Sequence, residues 1–247
     1  MQIFKFLSMI PYILWYSFKV MFQVIRGVWG ISKLPQPVVT IFGGSRFKQD
    51  NFYAKKAFDL GHMLAQNEIS VITGGGPGIM EAASCGAAVN NDGHVHSLGI
   101  GVKGLEEELL NHCSPVILTE YFFARKWLLV RYSSAFAVFP GGFGTIDEFS
   151  EILTLMQTKR IAKNTIVLIG VDYWKKFMEW MKESALKEGM IREKDFNLFV
   201  LTDDLDMALK LLCTACKGDM ETHISLTKKL HEIYTEHVEE GNEKNKK

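Results

Sequence analysis

The chain is 247 residues long, which fits one large domain or one domain with appendages. Lysine plus arginine and aspartate plus glutamate both number 28, so no net charge attracts nucleic acid, and a small anionic ligand fits better than a polyanion. The four cysteines are too few and too scattered for a disulfide framework, which predicts reduced thiols and a cytoplasmic setting.

Cys213 and Cys216 have CxxC spacing, but no second such pair and no histidine pair at zinc-ligand spacing accompanies them. We therefore expect them to be buried apolar residues and expect no metal site.

Residues 1–31 are far more apolar than the rest of the chain. The longest uncharged run, residues 6–18, has 13 residues, short of the roughly 20 that a spanning helix needs, so a span or a signal peptide is less favoured. A helix over residues 1–34 is predicted to be amphipathic, with a broad apolar face and one polar stripe formed by Lys5, Ser8, Tyr12, Tyr16, Lys19, Gln23 and Arg26. The apolar face predicts contact of residues 1–31 with a membrane surface, or packing on the domain or on a partner subunit.

Pro35 and Pro37 separate this helix from a domain over residues 38–216. In that domain, short apolar runs alternate with helical patterns. The runs predict strands at 38–42, 70–73, 96–102, 135–139, 165–170 and 199–202, and the patterns predict helices at 51–66, 79–90, 122–133, 145–157, 173–188 and 203–216. This alternation predicts a Rossmann-like α/β fold, with a parallel sheet covered by helices on both faces. Residues 217–247 are predicted to form a C-terminal helix and a charged tail.

Three predicted strands end in glycine-rich turns, at residues 43–44, 74–78 and 141–144. Ligands of open parallel sheets bind beyond the carboxyl ends of the strands, so we expect the turns to converge on one site. Glycine allows close backbone approach, and the following helix N-termini suit a phosphate. No glycine turn is followed by the lysine and hydroxyl residue of a Walker loop, and the turn at residues 74–78 is not a G-x-G-x-x-G dinucleotide fingerprint, because its last glycine comes one residue early.

Two motifs carry a family resemblance. FFARK at residues 122–126, followed by PGGFGTIDE at residues 140–148, resembles the Arg-Lys and PGGxGTxxE signature of the LOG family, the cytokinin riboside 5′-monophosphate phosphoribohydrolases often mislabelled lysine decarboxylases. GGGPGIMEA at residues 74–82 is similar to the first glycine motif of that family. The resemblance implies a homodimeric Rossmann-like enzyme that releases a free base and ribose 5-phosphate from a nucleoside 5′-monophosphate, without a cofactor.

Carried onto this chain, the resemblance implies Arg125 and Glu148 as catalytic residues. Substrate-binding candidates are Gly43, Gly44, Ser45, Gly75, Gly76, Lys126, Gly141, Gly142, Gly144 and Thr145. Departure of the base leaves an oxocarbenium-like ribose, whose charge Glu148 can stabilise, or Glu148 can activate the water. A permanently charged arginine can orient an anion but cannot donate the proton to the base, which leaves Asp147 or a water for that step.

Structural alternatives exist for these residues. Thr145 to Glu148 reads as a capping box, T-x-x-E, in which Thr145 caps a helix and Glu148 turns back to the N-cap amide. Arg125 and Lys126 can also form a solvated helix patch, and Ser45 can be a turn residue.

The base is left open, because GGGPGIMEA departs from the GGGSxGLM pattern of the plant-like enzymes. A cytokinin nucleotide and an AMP-like nucleotide both fit. The competing hypothesis is a non-catalytic sensor that binds a nucleoside monophosphate, either in solution or at a membrane.

Overall fold

The structure is a computed structural model that describes residues 2–89, 94–104, 111–162 and 164–218, with side chains from residue 9 onward. Within these residues, seven strands form one parallel sheet: β1 (Val38–Phe42), β2 (Ser70–Thr73), β3 (Ser97–Val102), β4 (Val116–Thr119), β5 (Ala135–Val138), β6 (Thr165–Ile169) and β7 (Val200–Thr202). Their order across the sheet is β4-β3-β2-β1-β5-β6-β7.

Among the described residues, helices lie before β1, after β7 and in five of the connections between strands. The α-helices are α1 (Gln2–Ser32), α2 (Phe52–Gln66), α3 (Ile79–Ala88), α4 (Phe122–Arg131), α5 (Phe143–Gln157), α6 (Val171–Trp180) and α7 (Leu205–Lys217). A π-helical segment, Met181–Leu186, extends α6, and a 3-10 helix, Glu193–Leu198, precedes β7.

Two hydrophobic cores cover the two faces of the sheet. Side chains of α2, α3 and α7 pack on one face, and side chains of α4, α5 and α6 pack on the other with the end of α1. Every residue of β1, β2, β3, β5 and β6 is buried, which explains why these strands are near-continuous apolar runs. The predicted Rossmann-like architecture is confirmed.

The strand order locates the crevice of the sheet. From β1 the chain moves outward through β2, β3 and β4, and then returns to place β5 beside β1, with Phe42 aligned with Val138 in their parallel pairing. The direction of winding therefore reverses between β1 and β5. Ligands of such sheets bind at this switch point, beyond the strands' carboxyl ends.

The predicted packing of apolar residues of α1 on the domain occurs at the end of the helix, where Val28 and Ile31 join the core. Earlier in the helix the contacts are polar: Lys19 Nζ lies 3.6 Å from Glu120 Oε2, and Gln23 Oε1 accepts a 2.9 Å hydrogen bond from Glu120 N. At Gly27 a Cβ would overlap the side chain of Leu128 of α4. Among the described residues, no helix combines the length and apolar character that a membrane crossing requires.

The cysteine prediction is wrong for one pair. Cys85 on α3 and Cys113 on the segment before β4 form a disulfide, with Cα atoms 4.8 Å apart. Sequence spacing did not indicate this pair, because the fold alone brings the two segments together. Cys213 and Cys216 are free and partly buried against the core, as predicted for small apolar residues.

Several element boundaries differ from the predictions. Strand β4 was missed, because it has four residues at the sheet edge, directly after Pro115. The predicted 173–188 helix begins at Val171 and ends as an α-helix at Trp180, where the π-helical segment follows. The helix predicted to end at residue 90 ends at Ala88. Most of the predicted C-terminal helix and tail, residues 219–247, lies outside the described residues.

Candidate active site

The three glycine turns meet at the switch point. Gly44 N donates a 2.9 Å hydrogen bond to Pro140 O, and Gly44 O accepts a 3.1 Å hydrogen bond from Ile79 N, so the turn after β1 is bonded to both neighbouring turns. A Cβ at Gly141 would overlap the Thr145 side chain and the backbone nitrogen of Gly44. Glycine is required there because the two turns approach each other closely.

The turn after β5 leads directly into α5. The helix begins at Phe143, its N-cap is Gly142 in an extended conformation, and no side chain caps it. Amides of the first turn of a helix have no partner within the helix and lie at the positive end of its dipole. Gly142 and Gly144 are exposed, with nothing within 4 Å of a Cβ at either one. The turn therefore offers an uncapped, accessible helix N-terminus suited to a phosphate.

This helix start excludes the capping box. Thr145 is the third residue of α5, not its N-cap, and it is buried against Gly141. Glu148 is the sixth residue, too far along the helix to turn back to the N-cap amide. The alternative was wrong because α5 begins two residues before Thr145, at the exposed Phe143.

Arg125 extends from the first turn of α4 to the ends of two strands. Its Nε donates a 3.0 Å hydrogen bond to Ile100 O of β3. A Cβ at Gly74, immediately after β2, would overlap its guanidinium group. The arginine is thus held over the second glycine turn, and its side chain is only 13% exposed. The solvated-patch alternative does not describe Arg125.

Glu148 pairs with Arg125 across the gap between α5 and α4. Arg125 Nη1 and Glu148 Oε1 are 2.9 Å apart, and the carboxylate side chain is 10% exposed. Burial raises the pKa of Glu148; the Arg125 charge opposes this, Asp147 adds to it and Lys126 opposes it, and the pKa remains above its usual value. A buried carboxylate whose pKa is raised toward neutrality suits proton transfer and charge stabilisation.

A second ionic contact lies beside the first. Lys126 Nζ is 2.5 Å from Asp147 Oδ2 and 3.2 Å from Glu151 Oε2, so adjacent residues of α4 contact three carboxylates on α5. Burial lowers the pKa of Lys126, but hydrogen bonds to Asp147 and Glu151 outweigh this and the pKa is raised. The ammonium group of Lys126 therefore links the two helices.

A polar network supports the turn after β2. Gly75 has φ of 73°, its N–H donates to Thr73 Oγ1 at 3.2 Å, and its carbonyl accepts from Asn111 N at 3.0 Å. Asn111 Nδ2 also donates to Ser84 Oγ at 3.3 Å. These buried bonds hold Gly75 in the left-handed conformation that favours glycine.

The other predicted contacts lie nearby. Gly43 is buried beside the Ile79 side chain, Gly76 is half-buried beside Met80, and Ser45 is exposed directly after the first turn. Sequence reasoning missed Tyr173, whose hydroxyl donates to Gly141 O, and it missed Asn111. Neither lies in a motif, because each reaches the site only through the path of the folded chain. No group of three metal-ligating side chains occurs in the part of the chain that the structure describes.

Comparisons with known proteins identify the family of this chain. A family model described as "Possible lysine decarboxylase" matches residues 80–212. The chain is 29% identical over 184 residues to the probable cytokinin riboside 5′-monophosphate phosphoribohydrolase LOG4 of Oryza sativa subsp. japonica, covering 73% of this chain and 78% of that protein. It is 30% identical over 177 residues to the cytokinin riboside 5′-monophosphate phosphoribohydrolase LOG2 of Arabidopsis thaliana, covering 70% and 81%.

Solved structures share the fold. The molybdenum cofactor carrier protein of Chlamydomonas reinhardtii is similar with a TM-score of 0.52 and 20% identity, over 73% of this chain and 98% of that chain. A target of the Northeast Structural Genomics Consortium gives a TM-score of 0.52 at 18% identity, over 71% and 98%. At such identities the likeness shows the fold alone.

Proposed function

The chain belongs to the LOG family, and from that premise we propose that it is a nucleoside 5′-monophosphate phosphoribohydrolase, which hydrolyses the N-glycosidic bond to give a free base and ribose 5-phosphate. The names of its relatives support this activity at the level of the family. The observation that carries the proposal is the buried pair of Arg125 and Glu148, 2.9 Å apart beside an uncapped helix N-terminus.

The phosphate is proposed to bind at the start of α5. Gly141, Gly142, Gly144 and Thr145 supply the backbone of that turn, and Gly142 and Gly144 are exposed there. The turns at Gly43, Gly44 and Ser45 and at Gly75 and Gly76 form the neighbouring walls. Backbone N–H groups and the helix dipole can hold a phosphate without any basic side chain.

Glu148 is proposed to act on the ribose. Cleavage of the N-glycosidic bond leaves positive charge on the ring, and a carboxylate fixed in a water-poor site stabilises that charge more strongly than one in bulk water. The same carboxylate can take the proton of the attacking water, as in glycoside hydrolysis. The raised pKa of Glu148 favours its service as a base near neutral pH.

Arg125 and Lys126 are proposed to have different roles. Arg125, fixed by Ile100 O, can orient an anionic group of the substrate with its remaining guanidinium N–H groups. Lys126 contacts Asp147 and Glu151, which favours a role in positioning α4 against α5 over direct substrate contact. Asp147 is occupied by that lysine, and this makes water the better candidate for proton donor to the base.

The substrate is proposed to be a cytokinin nucleotide or an AMP-like nucleotide, since the two plant relatives are named for cytokinin riboside 5′-monophosphate. The test incubates the purified full chain with AMP, GMP, CMP, UMP and a cytokinin riboside 5′-monophosphate and measures ribose 5-phosphate. Release from at least one nucleotide is expected. Binding of nucleotides without release from any of them contradicts the enzyme and supports the sensor.

We also propose a homodimer, which the family resemblance implies. Light scattering of the full chain after size exclusion is expected to give twice the 28.0 kDa chain mass, and a monomer at assay concentrations contradicts it.

The cytoplasmic location stays a prediction, because the scattered cysteines that suggested it include the disulfide pair Cys85 and Cys113.

A further inference from the structure

The outward side of α1 carries a continuous apolar row. Its side chains recur at helical spacing and are between 51% and 64% exposed: Leu14, Phe18, Met21, Phe22, Ile25 and Trp29. Single exposed apolar residues are normal on a protein surface, whereas a contiguous row of large ones marks an interaction surface. We refer to these six residues as the α1 apolar row.

The contacts of α1 fix the direction in which this row faces. Lys19 and Gln23 are bound to Glu120, and Gly27 is packed so closely on Leu128 that no Cβ fits. Rotation of the helix to bury the row would break both polar contacts and bring larger side chains against α4. The apolar row therefore remains outside the domain.

The charges near this surface help to decide whether a membrane or a second copy of the chain binds to it. Residues 1–49 contain no aspartate or glutamate, and they contain six basic residues: Lys5, Lys19, Arg26, Lys33, Arg46 and Lys48. Because the whole chain is neutral, the remaining residues carry a net charge of −6. Lys19 is paired with Glu120, whereas Arg26 and Lys33 are exposed beside the row. A second copy docked row to row would bring these basic residues of both copies together, and like charges disfavour that contact.

The flank of the row also fits lipid. Arg26 is exposed, and Lys33 Nζ lies 4.2 Å from the centroid of the Trp29 ring. Trp15 is 58% exposed near the other end of the row. Tryptophan and basic side chains beside an apolar helix face are typical of helices that lie in the headgroup region of a membrane.

We propose that α1 is a peripheral anchor that lies on an anionic lipid bilayer, with the α1 apolar row at the acyl boundary and Arg26 and Lys33 at the headgroups. Anionic lipid attracts such basic residues, and the attraction weakens with salt. The proposal does not depend on the enzymatic activity.

The test is flotation of the full chain with phosphatidylcholine vesicles that contain or lack phosphatidylglycerol. Binding is expected to the anionic vesicles, with a decrease at high salt. A variant with Phe18→Ser, Phe22→Ser and Ile25→Ser is expected to lose about tenfold or more in partition coefficient. Its matched control substitutes serine at three exposed apolar residues outside α1, Phe52, Trp180 and Met190, and is expected to bind normally.

A charge variant separates electrostatic from apolar binding. Arg26→Glu with Lys33→Glu is expected to abolish the preference for phosphatidylglycerol, whereas Lys176→Glu with Lys187→Glu, at exposed lysines of α6 and of the segment after it, is expected to keep it. Circular dichroism checks that each variant is folded. Equal binding by the serine row variant overturns the proposal. The proposal is also overturned if wild type binds no vesicle and forms an oligomer that dissociates when the row is substituted. A second copy of the chain then occupies the row.

Discussion

Arg125 and Glu148 lie on different helices and are separated by strand β5 in the chain, yet Nη1 of one and Oε1 of the other are 2.9 Å apart. The contact forms because α4 precedes β5 and α5 follows it, so both helices flank the same strand at the switch point of the sheet. Both side chains are largely buried. Arg125 also donates a hydrogen bond to Ile100 O, and Glu148 also lies near the charges of Asp147 and Lys126. Burial beside Arg125 leaves the pKa of Glu148 raised, which makes Glu148 the group of this pair that responds to pH.

Glu148 is expected to cost the protein stability at neutral and alkaline pH. Its pKa is raised in the folded state, so both states bind the proton at pH below 4.5, and the cost of ionising the buried carboxylate appears as pH rises through the folded pKa. Glu148→Gln removes this cost. The unfolding free energy of the variant minus that of wild type should therefore increase between pH 4 and pH 8.

Urea unfolding at each pH measures this difference. The control is Glu120→Gln, at a carboxylate that contacts Lys19 and Lys103 outside the site, for which no such increase is expected. A difference that stays constant or falls with pH contradicts the raised pKa.

Lys126 is expected to affect both positioning and the pH profile. Lys126→Met removes the contacts with Asp147 and Glu151 and should lower kcat/KM about tenfold or more, because small misplacements of catalytic groups are costly. Removal of this positive charge should also raise the pKa of Glu148 further and move the acid limb of the profile to higher pH. Asp147→Asn should move that limb to lower pH.

Lys103→Met serves as the control for Lys126, since it breaks an ion pair with Glu120 that lies outside the site. Its pH profile should match wild type. Opposite or absent shifts for the Lys126 and Asp147 variants would show that these residues do not act through Glu148.

Alanine substitutions of the two adjacent glycines at residues 141 and 142 are expected to have very different effects on stability. Gly141→Ala introduces a Cβ against Thr145 and Gly44 N, and the resulting strain should destabilise the fold by about 1–3 kcal/mol. Gly142→Ala meets nothing within 4 Å and has φ of −91°, so it should be nearly neutral for folding. Thermal unfolding of both variants makes the comparison, and equal stabilities would show that the two turns are not in close contact.

The disulfide between Cys85 and Cys113 predicts a specific labelling pattern. Under native, non-reducing conditions followed by denaturation, an alkylating reagent should modify Cys213 and Cys216 only, and reductant should expose the other pair. Cys113→Ser should lower stability by about 3 kcal/mol, given a bridge across 28 residues. Labelling of all four cysteines without reductant contradicts the pairing.

Much of the architecture was predictable from local patterns. Strands β1 and β2 match their predicted bounds because buried parallel strands are short β-branched runs followed by glycine turns. The turn from Gly141 to Gly144 was predictable because it is a local motif, and Arg125 and Glu148 were singled out by the family resemblance. Edge strand β4 was not, since half-buried strands of four residues resemble loops.

Other features of the structure depend on tertiary contacts between segments that are distant in the sequence. The contact of Tyr173 with Gly141, the support of Gly75 by Asn111 and the pairing of Cys85 with Cys113 join segments that no spacing rule connects. The orientation of α1 could not be predicted either. The amphipathic pattern defines a polar stripe and an apolar face, but it does not show that the polar stripe binds Glu120. The start of α5 at Phe143 was misjudged because Thr145 and Glu148 match a capping box by spacing alone.

The most direct test of the central claim is ribose 5-phosphate release from nucleoside monophosphates by wild type and by Glu148→Gln. Glutamine preserves the shape of the side chain and removes the charge opposite Arg125. We expect Glu148→Gln to lower kcat by about 10²- to 10⁴-fold, with nucleotide binding retained and the fold intact. Release by the folded variant at a rate within about threefold of wild type, far less than loss of a catalytic carboxylate causes, would contradict it.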